Sequence, residues 1–376
     1  MKFDKRLLNL SKASLKAYKL LNITVEHINE DAILDAYEIV KENKNFISFG
    51  VKNTNAIPRK YISNLLKENK YVWHTIDKMS DGGRAIDIEL INPITGKLMT
   101  GSSSSTAINV LYGINDVGIG TDGGGSVLGP ALSLNLFSVL AKGMGLKAEN
   151  DNIKKSTDDI FFIPGIGVIS HSFDLAINCI MDMLCLTDEQ YIINGSVEFL
   201  KVAVPEKQNI ILPQGIDMVD KLQKTARYLK NIGIDVKSDK FPNFKKRNES
   251  IERIDKLLDK YDVLITYEGP VDYRGFGDSV FGVMGDDAFN IQCLSGKYML
   301  KIANMVNATA TTIPNQDIAS GIVMLTKSGI ENGFKLFTLA RKILDLYRLP
   351  NLYYDYFMYS NMRRKNEFIF SKDRGE

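Results

Sequence analysis

From Asp116 to Ser126 the chain reads Asp-Val-Gly-Ile-Gly-Thr-Asp-Gly-Gly-Gly-Ser: a short apolar strand that runs into three consecutive glycines and ends on a serine. No other stretch limits so narrowly what the backbone can do. Glycines reach positive φ at no steric cost, so a strand ending this way can reverse tightly and aim several N–H groups at one point. Such a loop holds an anion or a developing oxyanion, and a serine at its end stands where nucleophilic acyl transfer needs one. Two other readings fit the same residues. The segment is also an ordinary glycine turn. It also serves as a phosphate cradle, although it lacks the Gly-Lys-Ser/Thr ending of a nucleotide P-loop and the GxGxxG order of a dinucleotide fold.

A nucleophilic serine needs a base. His27, His74 and His171 lie far apart, each without a second ligand at metal spacing, and read as structural or surface residues. Lysine serves as a base when burial lowers its pKa and leaves it neutral. Lys52 closes the apolar run Phe46-Ile47-Ser48-Phe49-Gly50-Val51, where such burial is feasible. A solvated surface lysine is the competing reading. The run Ser102 to Ser105 after Gly101 is, taken alone, a flexible polar connector.

Apolar spacing predicts helices over 5–21, 26–43, 58–70, 107–112, 172–186 and 218–233. Strands are expected over 46–51, 116–120, 199–204, 234–236 and 261–267. This alternation predicts an α/β protein with a mixed, mostly parallel sheet covered by helices on both faces. Neither an internal repeat nor a Pro- or Ser-rich linker interrupts the chain, so one large domain is expected over residues 1–376, with its core at about 25–347. The remainder, 348–376, is an aromatic and basic tail: Tyr353, Tyr354, Tyr356, Phe357 and Tyr359, then Arg363, Arg364 and Lys365. Exposed aromatics seldom lie free, so the tail is expected to pack on the domain or to form a homodimer contact.

Taken together, three segments resemble the amidase signature family. They are Gly50-Val51-Lys52-Asn53, then Gly101-Ser102-Ser103-Ser104-Ser105, then Gly120-Thr121-Asp122-Gly123-Gly124-Gly125-Ser126. Ser102 and Ser126 stand 24 residues apart, which fits the family pattern. Weaker likeness extends over about residues 25–347, through Ile169–Asp174, Val202–Pro205, Asp262–Thr266 and Ala303–Pro314. The resemblance implies an amidohydrolase with Ser126 as nucleophile, Lys52 as base and Ser102 as relay. Ser102 would follow a cis peptide bond. The oxyanion hole would be the amides of Gly123, Gly124, Gly125 and Ser126, supported by Thr121, Asp122 and Ser103. The family's substrate-facing loops correspond to 271–287, where Tyr273, Arg274, Phe276, Phe281 and Met284 are the candidate pocket residues. The expected substrate is a small or peptide-like amide, cleaved with no metal and no organic cofactor.

The chain also departs from the family pattern. Serines replace glycines at Ser104 and Ser105, and Leu128 stands where an arginine is usual. The 50-residue interval from Lys52 to Ser102 is short. Two further readings therefore stand beside a free-standing amidohydrolase: the ammonia-producing subunit of an amidotransferase, and a non-catalytic binding protein that retains the fold.

Charge narrows the partners. With 47 basic against 45 acidic residues, spread along the chain, neither nucleic acid nor a membrane is expected as the main partner. Three scattered cysteines, no apolar run of signal-peptide length and no membrane-spanning stretch lead to the expectation of a reduced, cytoplasmic protein.

Overall fold

The computed structural model describes residues 4–359. Strands are numbered along the chain: β1 (Val25–Ile28), β2 (Ile47–Lys52), β3 (Tyr71–Asp77), β4 (Ile86–Ile91), β5 (Leu98–Thr100), β6 (Val117–Asp122), β7 (Phe137–Leu140) and β8 (Lys154–Lys155). They continue with β9 (Phe161–Phe162), β10 (Gly165–Ser170), β11 (Lys201–Pro205), β12 (Asp235–Asp239), β13 (Val263–Glu268), β14 (Thr309–Pro314) and β15 (Gly321–Thr326). Among the described residues, eleven of these form one sheet in the order β1-β3-β2-β6-β10-β7-β14-β15-β13-β11-β12. β4–β5 and β8–β9 are separate two-stranded hairpins.

The sheet is mixed, as expected, but not mostly parallel. Six of its ten pairings are antiparallel, and four are parallel. Parallel pairing is confined to the two flanks, where helices make the crossovers: Arg59–Lys67 between β2 and β3, and Met218–Asn231 between β11 and β12. The central strands β10, β7, β14 and β15 pair antiparallel, and a short loop from Pro314 to Gly321 joins the last two. Strands β6, β10, β13, β14 and β15 are buried at every position, and no alternation is left in their sequences to reveal their direction.

The apolar core follows the sheet from Phe49 and Ile119 through Val139 and Ile166 to Leu264 and Val323. The helix expected over 26–43 is divided: Val25–Ile28 pairs with β3, and the helix itself runs from Ala32 to Lys41. The tail folds back on the domain as far as it is described. Tyr353 is buried with Met99, Leu111 and Val127, and its hydroxyl donates to the Leu134 carbonyl at 2.7 Å. Arg363, Arg364 and Lys365 lie outside the described residues. Among the described residues, no helix is long and apolar enough to cross a membrane.

Candidate active site

β2 and β6 are neighbours in parallel register, with Val51 opposite Ile119. Their ends therefore lie side by side, which brings Lys52 next to the glycine loop from 69 residues away in sequence. Lys52 is 2% exposed. Its Nζ donates to Ser102 Oγ at 2.6 Å and to Thr121 Oγ1 at 2.9 Å. Burial, reinforced by the charge of Lys154, pushes its pKa down to about 7 against the opposing pull of Asp122.

Ser102 follows Gly101, which takes φ +74° and lies so close to Pro130 that a Cβ would meet its ring at 2.5 Å. This left-handed glycine makes the reversal into the serine run. The Gly101–Ser102 peptide is trans rather than cis as expected; among the described residues the cis peptide is Gly269–Pro270. The Ser102 amide donates to Ser126 Oγ at 3.3 Å, which links the two serines. The serine run is no flexible connector. Ser104 begins a buried helix, Ser104–Leu111, and its hydroxyl donates to Asp87 Oδ2 at 2.6 Å. Ser103 Oγ donates to the Thr121 carbonyl at 3.4 Å.

Asp122 organises the loop. Its carboxylate accepts the amides of Gly125 (2.7 Å), Val127 (2.7 Å) and Leu128 (3.4 Å) from within a buried position. The Gly125 amide is thus committed to Asp122. This removes it from the expected oxyanion set, which becomes Gly123, Gly124 and Ser126. Gly125 itself sits at φ +97° against Leu300. Leu128 replaces the usual arginine and packs fully buried in the core. Positive charge near Asp122 comes instead from Lys52 and from Lys142. Burial lowers the pKa of Lys142 to about 8, and the Asp122 charge opposes that shift.

Ser126, Ser102 and Lys52 open onto a cavity of about 280 Å³. The β8–β9 hairpin borders it on one side, with the Phe162 ring against Gly123 and Lys154 and Lys155 on the wall. On the other side Arg84, paired with Asp278 through Nε at 3.0 Å, ties the Gly82–Ala85 turn to the segment Asp278–Val280. The expected pocket residues do not line this cavity. Of the stretch 271–287, Asp278, Ser279 and Val280 reach it, whereas Tyr273, Arg274, Phe276, Phe281 and Met284 do not. Tyr273 is exposed and lies under the Lys97 ammonium, and Phe276 and Phe281 stack edge to face on each other. The resemblance pointed to this stretch, but its rings at Phe276 and Phe281 serve local packing. Sequence reasoning also missed Arg84, Lys154, Phe162 and Arg247, which belong to no motif and meet only in the folded chain. The histidines stand apart from the triad; His74 is buried, its ring bonded to Ser14, Ile114 and Asn115.

No family model matches the chain, and no curated protein sequence matches it. Solved structures do. A crystal structure of an amidase superposes with a TM-score of 0.60 at 13% identity, covering 92% of this chain and 97% of that one. A bacterial aryl acylamidase of the amidase signature family gives 0.62 at 14% identity, covering 92% and 94%. The native peptide amidase of Stenotrophomonas maltophilia gives 0.59 at 14% identity, covering 91% and 94%. With nearly the whole length of each chain aligned, the protein has the amidase signature fold.

Proposed function

We propose that this chain is an amidohydrolase that works through an acyl-enzyme on Ser126. The observation that carries the reading is a buried, neutralisable Lys52 bonded to the Ser102 hydroxyl, with the backbone amide of the same serine donating to Ser126 Oγ. Neutral Lys52 takes the proton of Ser102 as Ser102 takes that of Ser126. Ser126 Oγ then bonds to the amide carbon, and the carbonyl oxygen takes the negative charge. In this reading the amides of Gly123, Gly124 and Ser126 receive that oxyanion. On collapse, the lysine proton returns through Ser102 to the leaving amine, and the C–N bond breaks. Water then enters, gives its proton to the same relay and releases the acid.

Burial of Lys52 supports this route, because an exposed lysine is protonated at neutral pH and cannot accept a proton. The likeness in fold to amidases supports the reaction class. The test is labelling with a fluorophosphonate probe followed by peptide mapping. Label on Ser126 that is lost in Ser126→Ala and falls sharply in Lys52→Met is the expected result. An unlabelled parent protein would favour a non-catalytic binding role instead.

A further inference from the structure

A second chamber adjoins the first. It has a volume of about 460 Å³ and shares Ala85, Gly124, Arg247 and Ser279 with the chamber that holds Ser126. Its walls are partly apolar, with Phe244, Phe289 and Tyr298, and its charge is predominantly basic. Lys245, Arg247, Lys297 and Lys301 line it, while Asp158 is the acidic residue of the lining. The whole chain is close to neutral, at 47 basic to 45 acidic residues, so this excess is a local feature.

The cluster begins beside the oxyanion loop. A Cβ on Gly124 would lie 3.4 Å from Arg247 Nη2, and one on Gly125 would lie 3.5 Å from Lys301 Cα. Two of these four cations have carboxylate partners: Arg247 with Asp158 at 2.6 Å, and Lys297 with Asp272 at 2.5 Å. Lys301 has none among the described residues. Its half-buried ammonium donates to the Phe244 carbonyl at 2.9 Å; Arg247 and Lys297 disfavour its charge, while Cys293 and the buried Glu268 favour it without bonding to it. Burial, and then Arg247, lower its pKa to about 8. A cation held out of water among other cations is unfavourable unless an anion completes it. Among the described residues no carboxylate is bonded to Lys301, and this chamber shares Ala85, Gly124, Arg247 and Ser279 with the cavity at Ser126.

We infer that the amide cleaved at Ser126 carries a carboxylate, held in the second chamber by Arg247 and Lys301 while the apolar walls take the carbon chain between. This rests on the reading of Ser126 as nucleophile. Arg247 offers a fork that matches a carboxylate, and Lys301 a point charge.

Two substrate pairs test it. Glutaric acid mono-p-nitroanilide against pentanoic p-nitroanilide places the charge on the acyl side; N-butyryl-4-aminobutyrate against N-pentylbutyramide places it on the amine side. The expected result is at least a tenfold higher kcat/KM for the charged member of one pair, with that ratio falling towards one in both Arg247→Gln and Lys301→Met. Equal or faster turnover of the neutral members in both pairs would overturn the inference, as would a ratio that neither variant changes. If no amide is turned over, calorimetric titration with glutarate decides. Saturable binding that Arg247→Gln abolishes would leave the anion site standing while hydrolysis fails. Absence of binding would sink the anion site.

Discussion

Replacing Lys52 by methionine separates catalysis from stability in one variant. An ordinary lysine has a pKa of 10.5, and that of Lys52 is lowered to about 7, chiefly by burial. At roughly 1.4 kcal/mol per pH unit, the fold disfavours the ammonium by about 5 kcal/mol. The neutral fraction at pH 7 is then about one half, against about one in 3,000 for an ordinary lysine. Activity should therefore rise about tenfold per pH unit below 7 and level off above about 8. Lys52→Met removes the base and should lower kcat by about 10³-fold or more. Stability should move the other way. Between pH 7 and 10.5 the unfolded chain holds a proton that the folded protein does not, so the parent gains stability as pH rises through that window. Below 7 the full penalty is present. Lys52→Met escapes it, losing only the bonds to Ser102 and Thr121. Denaturant unfolding at pH 6 and pH 10 should show a larger advantage for the variant at pH 6, by up to several kcal/mol. An advantage equal at both pH values, or a kcat/KM profile flat from pH 5 to 9, would refute a neutral buried lysine.

Lys154→Gln removes the positive charge that helps to lower the Lys52 pKa. The inflection of kcat/KM should move upward by less than about one pH unit, and the effect should shrink in high salt because Lys154 is exposed. Gly125→Ala puts a Cβ at φ +97° and 2.6 Å from Leu300; chemical denaturation should show a loss of about 1–3 kcal/mol. Tyr353→Phe deletes the hydroxyl that donates to Leu134, with an expected cost of about 1 kcal/mol in the same assay. A Tyr353→Phe protein as stable as its parent would argue that the tail does not brace the helices behind the site.

The candidate residues Lys52, Ser102 and Ser126 could be singled out because each sits in a short local motif. A strand that ends in Gly123-Gly124-Gly125-Ser126 has few conformations open to it, and Asp122 is within reach to tie the loop by short-range bonds to Gly125, Val127 and Leu128. Local geometry of that kind is written in residue order. Other features required distance information. The strand directions did, because β6, β10, β13, β14 and β15 are buried on both faces and carry no alternation. So did the pocket, where the resemblance pointed to residues of 271–287 but the cavity is walled by Arg84, by Lys154 and Phe162 of the β8–β9 hairpin, and by Arg247, drawn from three separate segments.

The sequence by itself determined that a serine would end a glycine nest, and that a lysine would close an apolar strand. Tertiary structure decided that these ends meet. The pairing of β2 with β6 buries Lys52 against Ser102 and Thr121, and that desolvation lowers its pKa to about 7. It also decided that the Gly125 N–H is bonded to Asp122 rather than left free in the loop. Burial and mutual orientation depend on every neighbour at once, so neither can be read from one residue and its spacing to the next.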